Sequence, residues 1–376
     1  MPRTPDPAED DLGFLPPPPP PVFHVEQALL GALLLEPHRA AGLAGITAEA
    51  FSTAAHAALF TAVRALPVPE TAQHATTTTW LNQVLTTAGE QTRGLTTAYL
   101  HHLIQLCPRS QHAPAYARII EAEHARRLMR AAAHRLVHTA LDTSLPHRVA
   151  ATLAEAGALT TVVDAIATRF PPHPGSPPRH PTTPVVVHDE EEAAEEEQVL
   201  LASATARPAR VERMRWLTSG DFTHPLHAML WQCLTTMARR GTPIDPVTVR
   251  WEAQHHGLLT QGTGPTGLLG FLGEPAGCDP EYWGERILQR SLLTTAHHTG
   301  RHIETLTQDP ATTTYQLVVG ARRALAGLNT VRTRWHHATS PTPANRPART
   351  RTEKAPAVPR AGPPPTTTPP AVRTPR

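Results

Sequence analysis

Some forty residues of this 376-residue chain occur twice. Glu26-Gln27-Ala28-Leu29-Leu30 returns as Glu197-Gln198-Val199-Leu200-Leu201, and the offset of 171 holds without a gap from His24 to Leu66. Pro37 meets Pro208, Arg39 meets Arg210, Phe51 meets Phe222, His56 meets His227 and Leu59 meets Leu230. Leu43, Ile46, Phe60 and Leu66 meet Met214, Leu217, Trp231 and Met237, so apolar positions keep their class where identity changes. Packing constrains volume and pattern more than identity, and a match confined to apolar spacing and chain breakers is what a duplicated fold leaves. The chain is two copies of one unit.

The intervals between copies differ in composition. Most of the 41 prolines fall outside the repeated units, so the ends and the middle lack the means to bury a core. The expected organisation is a disordered Pro-rich lead-in over 1–21, a helical domain over 22–169, a Pro-rich linker over 170–188, a second helical domain over 189–337 and a disordered basic tail over 338–376. Cys107, Cys233 and Cys278 have no CxxC spacing and suit a reducing compartment. No apolar run approaches the roughly 20 residues of a membrane span, and the N-terminus is no secretory signal. The expectation is a cytoplasmic protein with no membrane partner.

Helical periodicity dominates. Val25 to Leu35 repeats apolar residues at helical spacing and stops at Pro37. A short helix over His38 to Leu43 and a third bearing Leu59, Phe60 and Val63 follow, then an irregular Pro67 to Thr79. Trp80 to Leu85 and Tyr99 to Leu106 are short helical segments. Ala113 to Leu141 reads as the longest helix, and Ser144 and Pro146 turn the chain into a return helix ending near Arg169, an αα-hairpin. Copy two repeats this with Glu281 to Thr307 and Thr312 to Trp335. No strand is expected. The fold class is all-α: two tandem small helical domains, each ending in a long αα-hairpin.

These residues carry a resemblance. Val25-Glu26-Gln27-x-Leu29-Leu30-Gly31-x-Leu33-Leu34-Leu35, Phe51, His56-x-x-Leu59-Phe60, Tyr116-Ala117-x-Ile119-Ile120 and Arg127-Leu128 together resemble the N-terminal domain of DnaB-type replicative helicases. Copy two supplies Arg240-Gly241-x-Pro243-Ile244-Asp245-x-x-Thr248-Val249, similar to the family's loop between third and fourth helices. The resemblance implies a helical head plus a hairpin that, in the helicases, forms the collar of the hexamer, pairs with neighbouring subunits and docks primase. In the helicases a RecA-like ATPase follows the collar domain; here a second collar domain follows.

Enzyme chemistry finds little footing. A P-loop needs a Gly-rich turn followed by a lysine that reaches the β- and γ-phosphates. The only lysine, Lys354, lies among prolines with no glycine before it. The glycines from Gly262 to Gly277 read as a loop, and no cofactor is expected. Adjacent histidines such as His101-His102 and His297-His298 point about 100° apart on a helix, and Glu121-x-x-His124 has no counterpart in copy two, so no metal site is expected. His56 and His227 read as capping or packing residues. The acidic run Asp189 to Glu197 reads as carboxylates favoured by a helix N-terminus.

Interaction is the remaining route to function. From Arg332 to Arg376 nine basic residues stand against the single acid Glu353, a net +8 in a chain whose total is +2. Arg346, Arg349, Arg351 and Arg360 are therefore candidates for weak, unspecific DNA binding by counterion release. Arg126, Arg127 and Arg130 on the first hairpin are candidates for an acidic partner or nucleic acid, against a solvated charged face. Leu128, Leu136, Val137, Ile287, Leu288 and Ile303 are the apolar candidates for pairing of the two hairpins within one chain, as a covalent pseudo-dimer, or between chains as a homo-oligomer. The favoured reading is a non-catalytic replication accessory that binds primase, a replicative helicase or itself. The alternatives are the collar subunit of a split helicase whose ATPase is another chain, and a DNA-binding protein acting through its tail.

Overall fold

The computed structural model describes residues 20–43, 45–171, 190–258, 272–273 and 277–340, and among these there is no strand. Helix α1, Pro21–Leu35, begins four residues before the expected Val25 because a proline at the first helical position forfeits only an N–H that has no helical partner. Leu29, Leu30, Ala32 and Leu33 are fully buried, and so is Glu26. A helix apolar all round belongs in the middle of a core, and α1 is the central helix of the first head.

Around it lie two 3₁₀ turns, Pro37–Gly42 and Ala48–Ala50, and the helices α2 (Ala54–Ala65), α3 (Thr71–Thr76), α4 (Thr79–Gly89) and α5 (Thr97–Leu106). Thr53 and Thr96 accept from the backbone N–H of His56 and Tyr99, capping α2 and α5. The stretch Pro67 to Thr79, expected to be irregular, contains α3. No residue of α3 is buried, so no apolar stripe announces it. Nε2 of His74 lies 2.8 Å from the carbonyl oxygen of Leu34 and ties α3 to the head.

The first hairpin consists of α6, Ala113–Leu141, and α7, Arg148–Arg169. The backbone N–H and hydroxyl of Ser144 donate to Asp142 Oδ1 and tighten the turn between them; those bonds hold the Asp142 carboxyl below its ordinary range. By length and composition alone α7 is apolar enough to cross a membrane, although its apolar residues, about half of them Ala, are interrupted by Thr, Glu and Asp and so form no unbroken apolar run. Leu159, Val163 and Ile166 of α7 are buried in a helical bundle.

Copy two opens with α8 (Glu190–Ala206) and continues with α9 (Pro208–Val211), α10 (Pro225–Arg240) and α11 (Pro246–His255). Gly241, at φ +66°, ends α10 in the left-handed conformation that a glycine adopts without strain. Asp245 and Thr248 form a reciprocal capping box at the start of α11. The second hairpin is α12 (Pro280–Gln308) and α13 (Thr314–Thr339).

Three cores organise the described residues of the two copies. Each head has its own, and the third fills a bundle of α6, α7, α12 and α13. The bundle joins Met129, Leu136 and Leu159 of copy one to Ile303, Leu306 and Leu325 of copy two. The copies also interlock at one head: Val149, on the first turn of α7, belongs to the core of the second head, with Leu153 packed against it.

Candidate interaction interface

The C-terminal halves of α6 and α12 run antiparallel, Arg126 meeting Thr307 and Val137 meeting Gly300. Small residues meet at the crossing: Gly300 of α12 lies against the backbone of Ala133 and the side chain of Val137 on α6, with Ala296 buried one turn before it. Small residues let helix axes approach. At Gly300 an added Cβ would lie 2.6 Å from Val137 Cγ2 and 3.0 Å from the carbonyl oxygen of Ala133, so the helices touch closely there.

Charged groups close the contact where α12 ends. The last carbonyls of a helix have no partner inside it. At the end of α12 the Arg126 guanidinium supplies donors to the carbonyls of Thr307 (3.1 Å), Asp309 (2.8 Å) and Thr312 (2.6 Å). Arg130 donates to the carbonyl and the hydroxyl of the same Thr307. His134 faces the buried Glu304 at 3.0 Å, and Arg301 also donates to Glu304. On the return helices Arg322 donates to Asp164 at 2.7 Å.

The residues singled out in the sequence divide accordingly. Arg126 and Arg130 clamp the turn of the second hairpin, and Arg127 donates to the carbonyl of Ala50 in its own head at 2.6 Å, so all three guanidiniums are engaged within the chain. Leu136, Val137 and Ile303 are buried where the hairpins meet. Leu128 is 44 % exposed and lies outside the contact, because successive helical positions turn by 100° and Met129 takes the inward one. Ile287 and Leu288 are buried in the core of the second head and not between the hairpins. Arg346, Arg349, Arg351 and Arg360 lie outside the described residues.

A second construction recurs in both heads. Glu26 accepts from the backbone N–H and hydroxyl of Ser52 and faces His56 Nδ1 at 2.6 Å, both side chains fully buried; His56 Nε2 lies 2.7 Å from the Tyr99 hydroxyl. Glu197 takes the backbone N–H groups of Thr223 and His224 and faces His227 Nδ1 at 2.9 Å. The carboxylate thus satisfies the chain entering α2 or α10 and fixes it to the central helix. Glu197, read above as an acid at a helix N-terminus, is instead a buried anchor. Its neighbour Glu196 takes Arg286 and Arg290, and burial draws the Arg290 guanidinium below its ordinary range. The signal was present: Glu and His recur together at the same offset in both copies.

A hairpin arginine secures each head as well. Arg169 donates to the carbonyl of Gly45 and Arg334 to that of Trp216; the two carbonyls, though not the two arginines, stand at equivalent positions at the offset of 171. Arg334 also pairs with the buried Asp221. Among the described residues no group of three or more His, Cys, Asp or Glu is placed to hold a metal ion, and the three cysteines are free thiols.

Fold and interface define the class: a helical head with a hairpin, present twice, the two hairpins closed on one another. Residues 18–122 and 189–275 match the model of the DnaB-like helicase N terminal domain, together just over half of the chain. The chain belongs to that family, and a role related to the replicative helicase follows at that level. No curated protein matches the chain.

Proposed function

We propose that this chain is a non-catalytic accessory of the replication machinery, a covalent pseudo-dimer of collar domains that acts in the cytoplasm by engaging primase or a replicative helicase. The observation that carries the reading is the contact of α6 with α12, in which one chain meets its own second hairpin and Arg126 and Arg130 close the joint. A pair joined by a linker has a high effective concentration, so the second hairpin outcompetes the hairpin of another chain. The two domains, 22–169 and 189–337, then present two heads in fixed relation, a surface for partners that read paired collar domains.

Light scattering on the purified chain, alone and mixed with primase or with the helicase hexamer of the same host, tests this. The expected result is a 40.7 kDa monomer that co-elutes with one of the two partners and hydrolyses no ATP. A chain that dimerises through its hairpins, or one that co-elutes with neither partner, overturns the reading.

A further inference from the structure

The two heads have diverged at one groove. In copy two it runs between the segment from Val211 to Ser219 and the face of α10, and Arg215, Arg239, Ser219, Gln232 and Thr235 line it. Arg215 and Arg239 are exposed, and among the described residues neither has a hydrogen bond or an ion pair. In copy one, at the offset of 171, the position of Thr235 is Arg64, whose guanidinium crosses the corresponding space to the carbonyls of Leu43 and Ile46, both at 3.3 Å. Ala44 and Val68 stand where copy two has Arg215 and Arg239. The second head therefore lacks the arginine that spans the groove in the first and carries two uncommitted ones along it.

We infer that this groove binds the phosphate backbone of nucleic acid, with Arg215 and Arg239 as the cationic contacts and Ser219 and Gln232 as hydrogen-bond donors. An unpaired guanidinium offers planar, bidentate donation to phosphate oxygens, and releasing counterions favours binding without base readout. Trp231, the aromatic side of the groove, is only 1 % exposed, so no ring is offered for base stacking and the contact is independent of sequence. Glu212 also lines the groove and works against a polyanion. Arg334 of α13 donates to Thr218 in the same wall, and beyond α13 the sequence continues into the arginines of the basic tail, which supply a second, separate attraction for the same ligand.

The test uses the full chain and a fluorescently labelled oligothymidylate, followed by anisotropy across a salt series. Two phosphate contacts on a single strand account for a slope of about 1.4 in log K against log salt, or roughly 25-fold in affinity between 1 M and 0.1 M salt. Arg215→Ala with Arg239→Ala should lose that slope and affinity, while Glu212→Gln should strengthen binding. The same double substitution should lose as much in a chain whose Arg346, Arg349, Arg351 and Arg360 are alanine, which separates the groove from the tail. Arg93→Ala with Arg109→Ala, exposed arginines of the first head, is the charge-matched control and should change little. The groove substitutions break no described bond, so an unchanged melting curve confirms that the variants are folded. Unchanged slopes in both backgrounds, or an equal loss in the control, overturn the inference. Displacement of the oligonucleotide by polyglutamate at equal charge concentration also overturns it, in favour of an acidic protein segment.

Discussion

Gly300 offers the most direct measure of how closely the two copies approach. Gly300→Ala in the interior of α12 gains about 1 kcal/mol from helix propensity. Against this, the new methyl would sit 2.6 Å from Val137 Cγ2 and 3.0 Å from a backbone oxygen that α6 holds in place, overpacking that costs about 1–3 kcal/mol. The net expectation is a loss of about 0–2 kcal/mol. Gly327 in α13 is the control, since nothing lies within 4 Å of a Cβ placed there; Gly327→Ala should take the helix gain of about 1 kcal/mol undiminished. One substitution, at two helical sites, thus differs by about 1–3 kcal/mol in urea unfolding followed by circular dichroism. Val137→Ala removes the nearest atom, so the pair Gly300→Ala with Val137→Ala should be more stable than the sum of the single changes by about 1 kcal/mol. Equal stabilisation at Gly300 and Gly327, together with additive effects at Gly300 and Val137, would refute a close crossing of α6 and α12.

Two further outcomes follow from the heads. Glu26→Ala leaves the Ser52 N–H and the His56 ring without their buried acceptor, and Glu197→Ala does the same beside His227; each should cost about 3–5 kcal/mol in denaturant titrations, and a loss below about 1 kcal/mol would mean that the pair is not an anchor. Burial pushes the Cys233 thiol up to about 11, so at pH 8 only about 0.1 % is thiolate. Iodoacetamide should therefore label exposed Cys278 first and Cys233 only after unfolding, and peptide mass spectrometry showing Cys233 labelled in the native chain at pH 8 would contradict its burial.

Much of this architecture is written locally in the chain. The duplication is visible because a head core preserves the class of its apolar residues, and Leu29, Leu59 and Phe60 are buried as their spacing requires. The long helix Ala113–Leu141 was legible to the residue, with its boundaries set by the turns on either side. The family resemblance was carried by these same residues. The partners of each face were a different matter. The side of α6 buried in the bundle core carries Ala125, Met129, Ala132, Ala133, Leu136 and Ala140, yet alanine carries too little hydrophobic signal to outweigh the more conspicuous Leu128. Arg126 and Arg130 read as candidates for an external acidic partner or nucleic acid because a guanidinium that caps the carbonyls of a helix about 180 positions away leaves no pattern in its own neighbourhood. Val149 completes the core of the other head for a reason equally remote from its sequence. Helix formation and amphipathic spacing are short-range properties, fixed by residues three and four apart, and the sequence by itself determined them. Which face meets which, and whether an arginine spans a groove as Arg64 does or is left open as Arg215 is, depends on contacts between segments far apart in the chain, and those only the tertiary structure decided.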